Sequence, residues 1–408
     1  MPIYIVKPVR GRARERATLV NRPMDGRHRV RHFHEALEAR RCEPVDEDLR
    51  RWFQEAEERG VRRLGHAEEE CITSTRVVAM SHGEAEKLAK EVPGLSVTLD
   101  QPLAGVDPHV DQGSITLDPS AIDRWHLNEI GLSAARQSGF TGTGNGVTVA
   151  VLDTGVEGRH PEIESRIAGA FTFHLDEPHV RAMDPPRETD PVRGHGTHVA
   201  GLIAGKTVGV APGASLLAGV VQPNFVSSVG LLEMGLQWCL RPENGIQIVN
   251  MSVGVNGYND VMKDEIAALL LLGILPVLAV GNLGRNTSAS PGNYNEPLTV
   301  GASNRAGRIG GYSGSQQLQV DHATYQVPDL VAPGTEVWSA WYPGGYIKDT
   351  GTSMATPIVS GIAALIIERH PDIEVADLVE LLMSTCRDLG QPPDRQGRGL
   401  AQVQAAVT

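Results

Sequence analysis

Three short stretches of this 408-residue chain carry side chains able to do chemistry. In "VTVAVLDTG" an apolar run delivers Asp153 at its end, and a carboxylate there needs a partner because desolvating an unpaired charge is costly. The plain reading is a turn cap, since Asp-Thr-Gly is good turn chemistry. In "RGHGTHVAGLIAG" His195 and His198 stand three apart at the head of a helical pattern. Such a pair suits a metal, ordinary polar decoration, or one imidazole at a catalytic centre. A zinc site of the HExxH type needs four-residue spacing and a glutamate after the first histidine, where this chain has glycine. In "KDTGTSMATPIVSGIAALIIERH" Ser353 opens another apolar helical run behind Gly351. A serine there is ordinarily a cap, yet a helix N-terminus also favours developing negative charge. Carboxylate, imidazole and hydroxyl compose the orienter, base and nucleophile of acyl transfer. Asn282 in "LAVGNLG" reads either as a turn residue or as an amide donor toward an oxyanion.

These side chains need a scaffold, and the sequence supplies one. From Gly146 onward the apolar runs "GVTVAVLDTG", "ASLLAGVV", "GIQIVNMSVG", "GILPVLAVGN" and "EPLTVGAS" are separated by the helical patterns "HGTHVAGLIAG", "VGLLEMGLQWCL" and "DVMKDEIAALLLLG". Strands apolar throughout, joined by helices, predict an α/β fold: a mostly parallel sheet with helices on both faces. In such sheets functional groups gather at the carboxyl ends of the strands, where Asp153 and Asn282 stand. The first hundred residues differ. "PIYIVKPV" predicts a strand and "HFHEALEARR" and "EDLRRWFQEAEERG" predict charged helices; "TRVVAMS", "GEAEKLAKEV" and "LSVTLDQPL" read as strand, helix, strand. This is a small α+β module over residues 1–108, followed by a Gly-, Pro- and Asp-rich linker over 109–120 and the α/β domain over 121–408.

Composition, with 41% hydrophobic and 21% charged residues, is that of a globular protein with a sizeable core. The net charge of −12 is uneven: 19 basic face 18 acidic residues up to position 104, and 18 face 31 beyond it. That acidity disfavours nucleic acid. The basic run Arg10, Arg12, Arg14 and Arg16 reads as a solvated loop or a contact for an acidic surface. Four cysteines without CxxC spacing suggest neither zinc nor a disulfide framework. The N-terminus lacks an apolar signal-peptide core, and the longest apolar run, Ile266 to Val280, is too short and broken for a membrane span. The expectation is a cytoplasmic protein without membrane partners, with secretion by a non-classical route as the alternative.

Together the motifs "VAVLDTGVEGRHPEI", "GHGTHVAGLIAG" and "GTSMATPIVSGIAALI", with "GVAPGASL", "IVNMSVG", "AVGN" and "VAPG" in order between them, make the chain from about Ala121 onward resemble the subtilisin-like serine proteases. The resemblance implies that Ser353 attacks the scissile carbonyl, His195 carries its proton, Asp153 orients the imidazole, and His198 is not catalytic. It implies an oxyanion hole of Asn282 and the Ser353 N–H. It assigns Ser252, Val253 and Gly254 to pairing with an extended polypeptide substrate, and Ala279, Val280 and Gly281 to the facing pocket wall. No cofactor is implied for the chemistry; calcium commonly stabilises the family, and the acidic domain is compatible with it, with metal ligands unassigned. The N-terminal module is similar to the family's inhibitory propeptide, so an autoinhibited precursor is expected, with the chain's own N-terminal domain as intramolecular inhibitor and autocleavage between Leu103 and Ser120. Two segments depart from the family pattern. The acidic stretch "AMDPPRETDPVR" before His195 is either a solvated loop or, through Asp184, Glu188 and Asp190, a recognition site for a basic substrate residue. Gln316 to Pro328 forms a surface hairpin or part of a lid; a water-excluding lid would favour peptide transfer, as in a macrocyclase, over hydrolysis. An inactive binding scaffold is the non-enzymatic alternative.

Overall fold

The computed structural model describes residues 1–8, 44–64, 73, 75–104, 115–175, 180–192, 194–320 and 322–404. The Arg10–Arg16 cluster, the helix expected at "HFHEALEARR" and most of the cleavage window lie outside them. The N-terminal module comprises β1 (Ile3–Pro8), α1 (Pro44–Glu57), β2 (Arg62–Leu64), β3 (Arg76–Ala79), α2 (His82–Glu91), β4 (Leu95–Leu99) and β5 (Pro102–Ala104). Four of its strands form an antiparallel sheet in the order β2-β3-β1-β4. The period of two sorts β1 by face: Tyr4 and Val6 turn to Leu49, Trp52 and Phe53 of α1 and Leu88 of α2, whereas Ile5 points the other way. Ser81 caps α2, its hydroxyl accepting the Glu84 N–H at 3.2 Å.

Within the stretch expected as linker stands β6 (Ile115–Thr116), and beyond it come α3 (Trp125–Glu129), α4 (Leu132–Gln137), β7 (Thr148–Asp153), β8 (Ile167–Thr172), β9 (Arg181–Ala182), α5 (His195–Ala204), β10 (Ser215–Val220), β11 (Val226–Ser228) and α6 (Val229–Cys239). They are followed by β12 (Ile248–Met251), β13 (Val255–Asn256), α7 (Lys263–Leu271), β14 (Leu275–Ala279), β15 (Ala289–Ser290), β16 (Leu298–Ser303), β17 (Gln316–Val320), β18 (Ala323–Val327), β19 (Leu330–Pro333), β20 (Val337–Ala340), β21 (Tyr346–Asp349), α8 (Thr352–Arg369) and α9 (Val375–Ser384).

The central sheet has eight strands in the order β19-β16-β14-β12-β7-β10-β8-β9, parallel except for β9 at the edge. Alternate residues feed two cores. Val149, Val151, Leu216, Ile248, Val277 and Val300 pack with α5 and α8 on one face. Ala150, Leu152, Leu217, Val249, Met251 and Leu278 pack with α6 and α7 on the other. The expected α/β class is thus observed. Strand order turns at β7, whose successors lie on both sides of it, so the crevice at the carboxyl ends of β7 and β12 is where such sheets bind ligands. Gln316 to Pro328 is the hairpin β17–β18, anchored by Leu318 and Val327 packing on Val280 and by the Tyr325 hydroxyl donating to Asn293 O at 2.7 Å. No helix among the described residues is long and apolar enough to cross a membrane.

The module's sheet lies on α6 and α7, where Ile5, Leu64, Val77 and Ala79 join the core beneath it. Polar contacts rim this interface. Gln237 donates to Thr75 O at 3.1 Å, the Gly230 N–H of α6 donates to the Asp100 carboxylate at 2.8 Å, and Lys7 Nζ donates to Asp260 O at 3.0 Å. Two carboxyl groups are enclosed here, Glu233 of α6 and Glu265 of α7, facing each other and fully buried, with Thr73, Thr75 and Lys7 of the module beside them and Asp264 on α7. Burial, and for Glu233 also its carboxylate neighbour, pushes both above the usual carboxylate range. An acid whose pKa is raised by docking favours docking at low pH and opposes it as pH rises through the raised value. The docking equilibrium should therefore weaken on going from mildly acid to alkaline solution, by up to about tenfold per pH unit for each carboxyl that ionises. Small-angle scattering of the Ser353→Ala chain checks this: the radius of gyration should grow with pH, and stay flat when Glu233→Gln and Glu265→Gln are added.

Candidate active site

Asp153, the last residue of β7, is fully buried. Its Oδ1 accepts the His195 ring Nδ1 at 2.7 Å and the Thr154 N–H at 2.7 Å. A carboxylate oxygen can only accept, so Nδ1 carries the proton and Nε2 is the basic nitrogen. His195 reaches this position because α5 starts hard against the turn after β7. A methyl group on Gly196 would collide with the Gly155 carbonyl oxygen, and the Gly196 N–H donates to Thr154 Oγ1 at 2.9 Å. Burial alone would lower the imidazole's pKa, but the Asp153 charge and hydrogen bond overcome it and raise it to about 9. His198, on the same turn, lacks a carboxylate: its Nε2 meets Val337 O at 3.2 Å, and burial drives it down to about 3. One histidine of the pair is basic and the other stays neutral. Among the described residues no three His, Cys, Asp or Glu side chains gather as a metal site, so the zinc reading of His195 and His198 finds no third ligand of those types.

Ser353 lies in the first turn of α8 behind Gly351. Its hydroxyl donates to Ser252 O at 3.1 Å, while the buried Nε2 of His195 has no hydrogen-bond partner. The structure thus joins Asp153 to His195 and holds Ser353 on the neighbouring strand end, with the hydroxyl–imidazole link not made. Pro357, in the second turn, has no N–H to give to the carbonyl four residues back, which is that of Ser353. The Ser252 hydroxyl fills the gap at 3.0 Å, and is itself approached by Asn250 Nδ2 at 3.3 Å, whose Oδ1 accepts Ser360 of α8 at 2.9 Å.

Asn282 sits past the end of β14. Its Oδ1 accepts both the N–H of Thr352, at 2.8 Å, and its hydroxyl, at 2.9 Å. Those donors fix the amide's orientation and leave the buried Nδ2 without a partner, beside the residue that precedes Ser353. Between the two expected substrate segments the sequence overlooked Ala289. A methyl on Gly281 would come 3.2 Å from its Cβ, and one on Gly254 would come 3.5 Å from it, so this small residue stands between the two walls. Ser252 and Val253 are buried, with Ser252 turned toward Ser353. Val280 departs from expectation: its side chain packs into the β17–β18 hairpin, so it offers backbone rather than a pocket surface. Phe225, also unforeseen, stands edge-on to the His195 ring with centroids 5.9 Å apart.

The acidic stretch before His195 needs correction. Asp184 is exposed, but Glu188 and Asp190 are 7% and 3% exposed, so neither is solvated and neither is free to pair with a basic substrate residue. Backbone donors at the head of α5 and in the loop itself, invisible in the sequence, draw Glu188 inside.

Residues 144–399 match the subtilase family. Subtilisin E of Bacillus subtilis (strain 168) is 31% identical over 350 residues, covering 81% of this chain and 85% of that protein. Alkaline elastase YaB of Bacillus sp. (strain YaB) is 34% identical over 289 residues, 69% of this chain and 70% of that one. Among solved structures, a protease from Pseudoalteromonas arctica superposes with a TM-score of 0.61 at 27% identity over 72% of this chain and 99% of its own. Fervidolysin of Fervidobacterium pennivorans shares the fold, with a TM-score of 0.70 at 20% identity across 100% of this chain and 60% of its own. The chain belongs to the subtilase family and is a serine endopeptidase.

Proposed function

We propose that Ser353, His195 and Asp153 cleave polypeptides through an acyl-enzyme, in a chain made as an autoinhibited precursor. The observation that carries this is the 2.7 Å bond from the His195 ring to buried Asp153, which leaves Nε2 as the basic, unpartnered nitrogen of the site. A rotation of the Ser353 side chain takes its hydroxyl from Ser252 O toward that nitrogen. Oγ then attacks the scissile carbonyl, its proton passes to Nε2, and Asp153 stabilises the imidazolium. The oxyanion is received by Asn282 Nδ2 and the Ser353 N–H at the start of α8. Collapse breaks the C–N bond, the leaving amine takes the proton from Nε2, and water repeats the sequence on the acyl-enzyme.

An extended substrate would pair with the backbone of Ser252–Gly254, and the small residues Gly254, Gly281 and Ala289 favour an apolar side chain before the cleaved bond. The reading of the module as inhibitor is supported by β5, which adds antiparallel to β11 with Ala104 opposite Val226, so that its chain runs toward Phe225 and the His195 ring. The hairpin β17–β18 is anchored on Val280 and Asn293, and so gives the peptide-transfer reading no support.

The working base is neutral His195, which is protonated below its raised pKa. kcat/KM on a chromogenic peptide should therefore climb with pH through an acid limb centred at about pH 9. Asn282→Leu should lower kcat by about 100- to 1000-fold with little change in KM, a magnitude carried over from subtilisin itself. Intact mass and fluorophosphonate labelling compare wild type with Ser353→Ala. Wild type should be labelled and lose its N-terminal module, and the variant should do neither; an unlabelled wild type would sink the triad assignment, and a labelled one that stays full length would sink only self-processing.

A further inference from the structure

Glu188 is a buried carboxylate that the steps above do not use. Its Oε2 accepts the N–H of Thr197 at 2.9 Å and the Thr197 hydroxyl at 2.7 Å, in the first turn of α5, two residues from His195. Its Oε1 accepts the N–H groups of Thr189 at 3.0 Å and Asp190 at 3.1 Å. The loop that carries it is strapped to the turn after β7: Val156 N–H donates to Arg187 O at 3.2 Å, Thr189 N–H donates to Thr154 O at 3.1 Å, and Glu188 bridges to Gly155. Thr197 Oγ1 also accepts the Glu157 N–H at 3.0 Å. One side chain therefore clamps the turn that presents Asp153 to the helix that presents His195.

We propose that Glu188 is a positioning residue for proton transfer, holding the His195 ring on Asp153 through Thr197 and placing a second carboxylate behind that pair. This rests on the assignment of His195 as the base. Four donors converge on the carboxylate, as on an anion at a helix N-terminus. The titratable groups that act with it are Asp153 at the end of β7 and His195 on α5, and Asp349 of β21 acts on the same imidazole. Among the described residues no lysine or arginine forms an ion pair with Glu188, and its charge acts on the His195 ring. Burial, against the pull of its donors and with the push of Asp153, raises its carboxyl to about 7. It is ionised throughout the alkaline range in which His195 becomes a competent base.

The test is the pH profile of kcat/KM, with kcat and KM separated, for wild type, Glu188→Gln and Thr197→Val. Glu188→Gln removes the charge, so the acid limb should move to lower pH by at least several tenths of a unit. Loss of half the clamp should cost roughly tenfold in kcat at nearly constant KM. Thr197→Val keeps the charge and breaks the link to α5: kcat should fall with the limb unmoved. An acid limb that stays in place or moves to higher pH in Glu188→Gln overturns the inference. So does a fall in kcat that merely tracks lost melting temperature in both variants. Should Glu188→Gln not fold, Thr197→Val decides alone, an unchanged kcat overturning the clamp and a lowered one with an unmoved limb supporting it. Failure of the base assignment shows differently, as a wild type with no acid limb near pH 9 at all.

Discussion

The structure turns on one costly pairing: a carboxylate and an imidazole placed together where water does not reach. An isolated Asp153 at the end of a fully buried strand would be expelled or protonated. It is tolerated because the Nδ1–H of His195 and the N–H of Thr154 both reach its Oδ1. Meeting those donors requires a close approach of α5 to the turn after β7, and that approach dictates glycine at position 196. The parallel sheet makes the rest possible by lining up the ends of β7, β12 and β14, so that Asp153, Ser252 and the segment leading to Asn282 fall side by side. His198 is the control within the same helix. Equally buried and without a carboxylate, it is driven to neutrality, and the difference between the two rings is a difference of neighbours rather than of residue type.

Much of this was legible in the sequence because it depends on local pattern. Unbroken apolar runs marked β7, β10, β12, β14 and β16, and the turn chemistry at their ends marked where side chains would collect. The weaker strands were not legible. β8, Ile-Ala-Gly-Ala-Phe-Thr, is built largely of small residues near the sheet's edge and remains half-exposed, so neither hydrophobic run nor alternation announces it. β19 is only four residues long and contains proline, which a strand pattern does not predict.

The illegible part of the site is tertiary. "ETD" in a polar loop has the composition of a solvated cluster, and only the arrival of four donors from two segments explains why Glu188 is inside. Glu233 and Glu265 belong to helices whose outer faces would ordinarily meet water, but the N-terminal sheet covers them. Val280 sits in a stretch of small residues that reads as pocket wall, yet a hairpin formed well downstream claims its side chain. In each case the deciding partner is distant in the chain, and no window of sequence contains both members.

Proline at position 357 has a reach beyond its own turn. By depriving the Ser353 carbonyl of its helical donor, it recruits Ser252, and through Asn250 it ties the middle of α8 back to the same strand. The backbone that carries Ser353 and the end of β12 are thereby stitched at two points. On the proposed mechanism the two would move as one body, so that a misfitting peptide pulling on the strand would also shift Ser353 Oγ.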